Sequence, residues 1–331
     1  MVEVDRIDVH VAWMAAQTTA LIPVDEGEHL LAELIMDHPT VGWIGTGIMG
    51  KPMAHNLLVA GYPLRVFNRT ESKADDLIAA GAVRCHSPAH AATGVEMLIS
   101  IVSDSPDVEE VYLGRNGALA GLGSGTLCID MSTIAPAVAR KVAAAVEQKG
   151  GSYLDAPVSG GRTGAQAGTL AIMVGGQQAD VRRARSIFSV LGKTTVHGGP
   201  VGSGQLMKLC NQILCGLNLL AVSEAVVFAK RVGLDVATML EAVSGGAAGS
   251  WAVSHLGPRM NARDFAPMFM VDLQQKDLRI VLDAAAEADL PLPGTAMVSH
   301  FLAANQAAGE GREGTQALVK VLERLAGMLA S

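Results

Sequence analysis

The chain is 331 residues long, half of them hydrophobic and 17% charged, with a formal net charge of −7. That length has room for two domains with full cores, and the composition excludes a disordered chain. The acidic balance argues against nucleic acid or an anionic membrane as a partner, although a local cation can still hold a small anion. The four cysteines, Cys85, Cys128, Cys210 and Cys215, show neither Cys-x-x-Cys nor metal-ligand spacing. They read as reduced thiols of a cytoplasmic protein. His86 and His90 stand four apart, but Ser-Pro intervenes and no carboxylate partner is evident, so no metal is expected. No stretch reads as a membrane span, because the most apolar one, after Gly204, carries Lys208, Asn211, Gln212, Asn218 and Glu224. Glu3, Asp5 and Asp8 stand where a secretory signal would be basic.

Residues 1–39 precede the first clear strand. Met36 lies just before it, and the natural start is expected there, with a genuine surface extension as the alternative. The intact mass of the natively expressed protein decides between them. Next comes Val41-Gly42-Trp43-Ile44-Gly45-Thr46-Gly47-Ile48-Met49-Gly50, an apolar strand running into Gly-x-Gly-x-x-Gly, then a helix-compatible run over 51–60. This is the order of a dinucleotide-binding turn. Gly45 permits the tight turn, Gly47 lets backbone approach a pyrophosphate, and Gly50 lets helix and strand pack closely, with Ile48 and Met49 between them.

Further strands are predicted at 64–67, 82–85, 97–102, 127–131, 153–157, 170–174 and 194–197, and helices at 71–79, 107–113 and 135–149. Alternation of this kind predicts an α/β fold, a doubly wound Rossmann sheet, with the last strands as an antiparallel extension. After Gly198-Gly199-Pro200 only helices are expected: about 204–231, ended by Gly233, then 236–243, 272–288, 294–307 and 315–329. The division is therefore a Rossmann domain over 40–199 and an all-helical domain over 200–331. The first of these helices is too apolar for a solvated surface and is expected between domains or against another subunit.

The end of the second strand reports on the cofactor. An NAD-binding site usually has an acid there, about 20 residues past the glycines, for the ribose hydroxyls. Here Asn68-Arg69-Thr70 stands instead, with Lys73 one turn on. Asn68 does not repel a 2′-phosphate, Arg69 can pair with it and Thr70 can hydrogen-bond it, so NADP(H) is preferred over NAD(H). The alternative is that Arg69 only stacks on the adenine.

Three other stretches carry polar groups where a core would not want them. Asp155-Ala156-Pro157-Val158-Ser159-Gly160-Gly161, followed by Gly164-Ala165 and Gly168-Thr169, offers backbone N–H groups and the Ser159 hydroxyl as a carboxylate cradle, or is an ordinary glycine-rich turn. Lys208, Asn211 and Gln212 fall at i, i+3 and i+4, so one helical face presents all three. A buried lysine there has a lowered pKa suited to acid–base work, whereas a snorkelling lysine would have none. Lys276-Asp277 is either a functional pair or a solvated helix face.

Together, Gly45-Thr46-Gly47-Ile48-Met49-Gly50, Asp155-Ala156-Pro157-Val158-Ser159-Gly160-Gly161, Gly204-x-x-x-Lys208-x-x-Asn211 and Lys276-Asp277-Leu278 resemble the β-hydroxyacid dehydrogenase family, from about residue 40 to the C-terminus. The resemblance implies that Lys208 is the catalytic lysine and Asn211 its polar companion. It further implies that Ser159, Gly160 and Gly161 hold the substrate carboxylate, with Gln212 beside them. Thr133 matches a residue near the nicotinamide ribose, and Lys276 one that reaches back to the cofactor. Val102 and Ser103 match the segment along the cofactor where many members carry Leu-Pro. Arg259, Arg263, Asp264 and Phe265 are candidates to line the pocket from the helical side.

The expected activity is interconversion of a short β-hydroxy acid and its semialdehyde. The substrates named by the resemblance are 2-hydroxy-3-oxopropionate (tartronate semialdehyde) and 3-hydroxyisobutyrate. The run Lys208 to Gln212 and the ending Leu318-x-x-Val321-Leu322-Glu323-Arg324-Leu325-Ala326-Gly327 look like tartronate semialdehyde reductases, whereas Asn68-Arg69-Thr70 looks like NADPH-linked glyoxylate/succinic semialdehyde reductases. Imine reductases usually place another residue at the lysine position, and a non-catalytic dinucleotide-binding module would have lost it. A homodimer or homotetramer is expected from the apolar helices.

Overall fold

The structure, a computed structural model, describes residues 38–328; the expected start at Met36 concerns residues outside these. From Thr40 onward the chain forms one compact unit. Its sheet has nine strands: β1 Val41–Ile44, β2 Leu64–Phe67, β3 Val83–Arg84, β4 Met97–Ser100, β5 Leu127–Asp130, β6 Ser152–Asp155, β7 Val158–Ser159, β8 Leu170–Gly175 and β9 Gly192–Gly199. The order is β3-β2-β1-β4-β5-β6-β8-β7, with β9 also paired to β8. The first six strands are parallel, with β1 between β2 and β4, so the connections run outward in both directions from β1. Such a reversal opens a crevice beyond the C-terminal strand ends, where α/β proteins bind ligands.

β1, β4 and β5 are buried at every position because helices cover both faces. Trp43, Ile99 and Ile129 point into one layer with Leu57 and Met53, while Ile44, Leu98 and Cys128 point into the other with Val108 and Val142. The alternation along each strand is what lets four residues serve two cores.

The extension departs from the sequence expectation in detail. The predicted strand 153–157 stops at Asp155, and a separate strand, β7, starts just beyond it at Val158, because Pro157 lacks the N–H a continuing ladder would need. β8 runs antiparallel to β6 and β7 as expected, but β9 is parallel to β8. Sequence reading also passed over short helices at Pro88–Ala92, Gly161–Ala167, Gln178–Arg183 and Arg185–Leu191.

Beyond Ser203 every element among the described residues is helical: Ser203–Val232, Val236–Ser244, a π-turn Ala252–Leu256 running into Gly257–Asn261, then Val271–Glu287, Pro293–Ala307 and Leu318–Leu325. The last was expected to be longer, but it opens with a 3-10 turn over Thr315–Ala317 and stops at Leu325. The 30-residue helix Ser203–Val232 is bracketed by Gly202 (φ 96°) and Gly233 (φ 77°), both left-handed positions that glycine adopts without strain. By length and composition alone this helix would pass as a membrane span, contrary to the sequence expectation. Its inner side instead forms a core, with Leu219, Val222 and Val226 packed among Leu278, Val298 and Leu318. Its outer side leaves Leu206, Leu214, Leu217 and Phe228 exposed.

Candidate active site

At the C-terminal end of β1 the glycine loop is shaped by close backbone contacts. Gly45 has φ 101°, and a Cβ on it would lie 2.1 Å from the Ile101 carbonyl oxygen. A Cβ on Gly50 would lie 2.2 Å from the Gly45 carbonyl oxygen, so the helix Gly50–Val59 starts against the turn itself. Gly47 is different: a Cβ there would meet nothing within 4 Å. Its missing side chain leaves open space rather than relieving a clash. The helix has no side-chain cap and no acid in its first turn, and the Thr46 hydroxyl is buried without a partner. Uncapped amides, an orphaned hydroxyl and an open glycine together fit a pyrophosphate at this turn. From β2, Asn68 Oδ1 accepts from the Thr46 N–H at 2.8 Å, while Asn68 Nδ2 donates to the Thr70 carbonyl at 2.8 Å. Asn68 thus braces the loop. Arg69 lies in solvent, 3.2 Å from Asp107.

The second part of the site is the start of the helix Ser203–Val232. Asp155, at the end of β6, accepts from the Gly202 N–H at 2.7 Å and from the Gln205 N–H at 2.8 Å. It caps the helix from the sheet. Gly204 makes this possible, since a Cβ there would lie 2.5 Å from the carbonyl oxygens of both Asp155 and Met173. Burial raises the Asp155 pKa, and its backbone hydrogen bonds oppose that rise.

Lys208 follows one turn later, 7% exposed. Its Nζ lies 3.3 Å from Asn211 Oδ1, the partner expected from the i, i+3 spacing. Desolvation lowers the Lys208 pKa below the ordinary lysine value, the Asp277 carboxylate pulls it back up, and the neighbouring Lys276 adds a smaller downward push. Asp277 is itself buried, 1% exposed, with Oδ1 2.7 Å from Lys276 Nζ and Oδ2 accepting from Gln212 Nε2. Lys276 Nζ also donates to the Thr133 carbonyl at 2.7 Å, crossing from the helical half to the end of β5. Lys276-Asp277 is therefore no solvated face. The pair and Gln212 form a buried polar group beside Lys208, and the Gln212 amide N–H is committed to Asp277.

Ser159 ends β7, and Gly160 and Gly161 follow with φ 134° and 60°. Only glycine takes both conformations readily, and the turn leaves their amides at the strand end. The wider cradle read from sequence does not form. Gly164 lies inside the helix Gly161–Ala167, where its N–H donates to the Gly160 carbonyl at 3.1 Å. A Cβ on Gly161 would stand 4.0 Å from the Met268 carbonyl oxygen, so the helical half reaches over this loop. Val102 is tied by its N–H to Ser132 Oγ at 2.9 Å, and Ser103 is exposed beside it. The residues suggested to line the pocket from the helical side are engaged elsewhere. Arg263 pairs with Glu323, Arg259 lies 3.0 Å from Asp264, and Phe265 has the Lys320 ammonium 4.2 Å above its ring.

Sequence reading did not single out Gln205, Asp130 or the link between Arg279 Nη2 and Asp104 Oδ2 at 2.8 Å. The only available signal for Gln205 was a polar residue three before the lysine on an apolar helix.

A dinucleotide turn in the crevice of a doubly wound sheet, together with a desolvated lysine on a helix capped from that sheet, defines a nicotinamide-dependent oxidoreductase. Residues 40–199 match the family model described as the NAD binding domain of 6-phosphogluconate dehydrogenase, and residues 202–322 match that described as NAD-binding of NADP-dependent 3-hydroxyisobutyrate dehydrogenase. The Escherichia coli 2-hydroxy-3-oxopropionate reductase is 41% identical over 86% of this chain and 98% of its own. An Arabidopsis thaliana probable mitochondrial 3-hydroxyisobutyrate dehydrogenase-like protein is 43% identical over 86% of this chain and 85% of its own. Among solved structures, the Mycobacterium tuberculosis 3-hydroxyisobutyrate dehydrogenase with L-serine has a TM-score of 0.79 at 33% identity, over 86% of this chain and 99% of that one. The chain belongs to the β-hydroxyacid dehydrogenase family.

Proposed function

We propose that the protein interconverts a short β-hydroxy acid and its semialdehyde with NADP(H) as the preferred cofactor. The substrate is 2-hydroxy-3-oxopropionate in the reducing direction or 3-hydroxyisobutyrate in the oxidising one, and Lys208 is general acid and base. The observation that carries this reading is the buried Lys208 amine, lowered in pKa and held by Asn211 on the helix that Asp155 caps from the end of β6. The bound nicotinamide supplies or takes up the hydride. As ammonium, Lys208 stabilises the developing alkoxide and gives it a proton; as neutral amine it takes the hydroxyl proton in the reverse direction. Asn211 orients the amine. Ser159 and the amides of Gly160 and Gly161 fix the carboxylate, so that the carbonyl carbon stays at one distance from the cofactor. Gly45, Gly47, Ile48, Met49 and Gly50 hold the pyrophosphate, Thr133 and Lys276 the nicotinamide side, and Val102 and Ser103 the edge between them. The sheet half over 40–199 thus serves the cofactor and the helical half from 200 the substrate.

The NADP preference rests on the end of β2. The residue that closes the strand is Asn68 rather than an acid, and the exposed Arg69–Asp107 pair is the kind worth little in water, leaving Arg69 able to turn to a phosphate. The same Asn68-Arg69-Thr70 run supports a second reading, a glyoxylate/succinic semialdehyde reductase. One assay separates these possibilities: a panel of aldehyde acids and hydroxy acids with NADPH/NADP and NADH/NAD. The highest kcat/KM is expected for tartronate semialdehyde with NADPH. Arg69→Ala is expected to raise the KM for NADPH about tenfold or more and leave that for NADH nearly unchanged. Equal losses with both cofactors would show that Arg69 does not read the phosphate.

The outer face of the helix Ser203–Val232 supports a homodimer or homotetramer. Leu206, Leu214, Leu217 and Phe228 recur at helical spacing on one exposed side, a stripe that a second copy would cover. Leu214→Glu is expected to shift the mass in light scattering towards the monomer; an unchanged assembly places the interface elsewhere.

A further inference from the structure

Gln205 is wholly buried, and each of its polar groups is bound within the protein. Its main-chain N–H donates to Asp155 Oδ2 at 2.8 Å. Its side chain crosses to the loop after β5, where Nε2 donates to the Ser132 carbonyl at 2.8 Å and Oε1 accepts from the Ile134 N–H at 3.0 Å. Between these two lies Thr133, whose carbonyl is taken by Lys276 at 2.7 Å. Two successive peptide groups of one loop, Ser132–Thr133 and Thr133–Ile134, are therefore pinned from the helical half. The same loop is held from below: Ser132 Oγ donates to Asp130 Oδ1 at 2.7 Å and accepts from the Val102 N–H. Asp130 also accepts from Ser100 Oγ at 2.8 Å.

We propose that Gln205 is a positioning residue for the reaction, the strut that fixes the helix carrying Lys208 against the loop carrying Thr133. It acts through Lys208 and Thr133 and touches neither substrate nor cofactor, having no exposed surface. The proposal rests on the reading of Lys208 as proton donor and Thr133 as a neighbour of the nicotinamide. A carboxamide suits the task because the loop offers an acceptor on Ser132 and a donor two residues on at Ile134, and glutamine answers with one donor and one acceptor in a single plane. Glutamate lacks the donor, methionine lacks both, and asparagine is one methylene short. Lys208 is three residues on, so a shift of the first helical turn moves its amine relative to the loop directly. Misplacement of this kind acts on the geometry of attack more than on affinity.

The test uses Gln205→Met, which keeps the volume and removes both hydrogen bonds, and Gln205→Glu, which keeps the acceptor. Thermal melting, NADPH affinity, kcat, KM for the best aldehyde acid and the kinetic isotope effect with 4-deuterated NADPH are measured for each. Gln205→Met is expected to lose about ten- to a hundredfold in kcat, with NADPH affinity and KM within about threefold of the parent. Its isotope effect on kcat is expected to rise as hydride transfer becomes slower than product release, and Gln205→Glu is expected to fall between the two. A folded Gln205→Met with parental kcat overturns the proposal, and so does a loss confined to melting temperature. If neither variant folds, Gln205 is a structural residue and the proposal fails. Lys208→Ala is run alongside. If that variant keeps parental turnover, the reading of the site has failed rather than the role of Gln205.

Discussion

Lys208→Ala is expected to lower turnover by about a thousandfold or more and leave NADPH affinity within a few-fold of the parent. The size follows from two losses. The reaction loses its general acid, and a cation no longer stands beside the developing alkoxide. Affinity is expected to survive because the turn that would hold the pyrophosphate is built from Gly45 to Gly50 at the end of β1, whereas the Lys208 amine is bound to Asn211 on its own helix. The variant leaves Asp277 buried with Lys276 and Gln212 still in place, so the carboxylate is not orphaned by the change. Steady-state kinetics with a cofactor titration measures both quantities. Turnover within tenfold of the parent would remove the amine from the mechanism.

Two single-methyl substitutions in the glycine loop are expected to fail in opposite ways. Gly45→Ala places a Cβ 2.1 Å from the Ile101 carbonyl oxygen at φ 101°, and neither backbone segment can yield without moving β1 or β4. We expect a stability loss of about 3 kcal/mol or more, seen as a lower melting temperature in the absence of any ligand. Gly47→Ala adds its methyl to open space. The ligand-free protein should melt within about 1 kcal/mol of the parent. NADPH affinity should nevertheless fall about tenfold or more, because the methyl occupies the approach to the pyrophosphate. Gly47→Ala binding NADPH as tightly as the parent would mean that the phosphates do not lie at this turn.

The contrast also shows what the sequence can and cannot convey. The turn was legible because strand, glycines and helix are adjacent in the chain. The all-helical half was legible from the absence of β-runs, and Lys208 with Asn211 from helical periodicity. The remainder depends on partners far apart in sequence. Gln212 shares a face with Lys208, yet its amide goes to Asp277, 65 residues on. Gln205 binds a loop 73 residues before it, and Asp155, read only as part of a glycine-rich motif, is the cap of the helix that starts 48 residues later. Nor could the pattern 153–157 reveal that the strand stops before Pro157 and that a second one, Val158–Ser159, pairs with β8, because that choice is made by the neighbouring strand. The helix at Gly161–Ala167 was hidden by its glycines, which are poor helix formers and read as a loop.

The central claim is that one buried amine gives up a proton in reduction and takes one in oxidation. The pH dependence of kcat, measured in both directions with saturating substrates, tests this most directly. Burial lowers the Lys208 pKa below 10.5, so the limb belongs on the near side of that value. Reduction should lose rate as pH rises through it, and oxidation should gain rate through the same pH. Two profiles that rise together, or that stay flat across the range, would contradict the account.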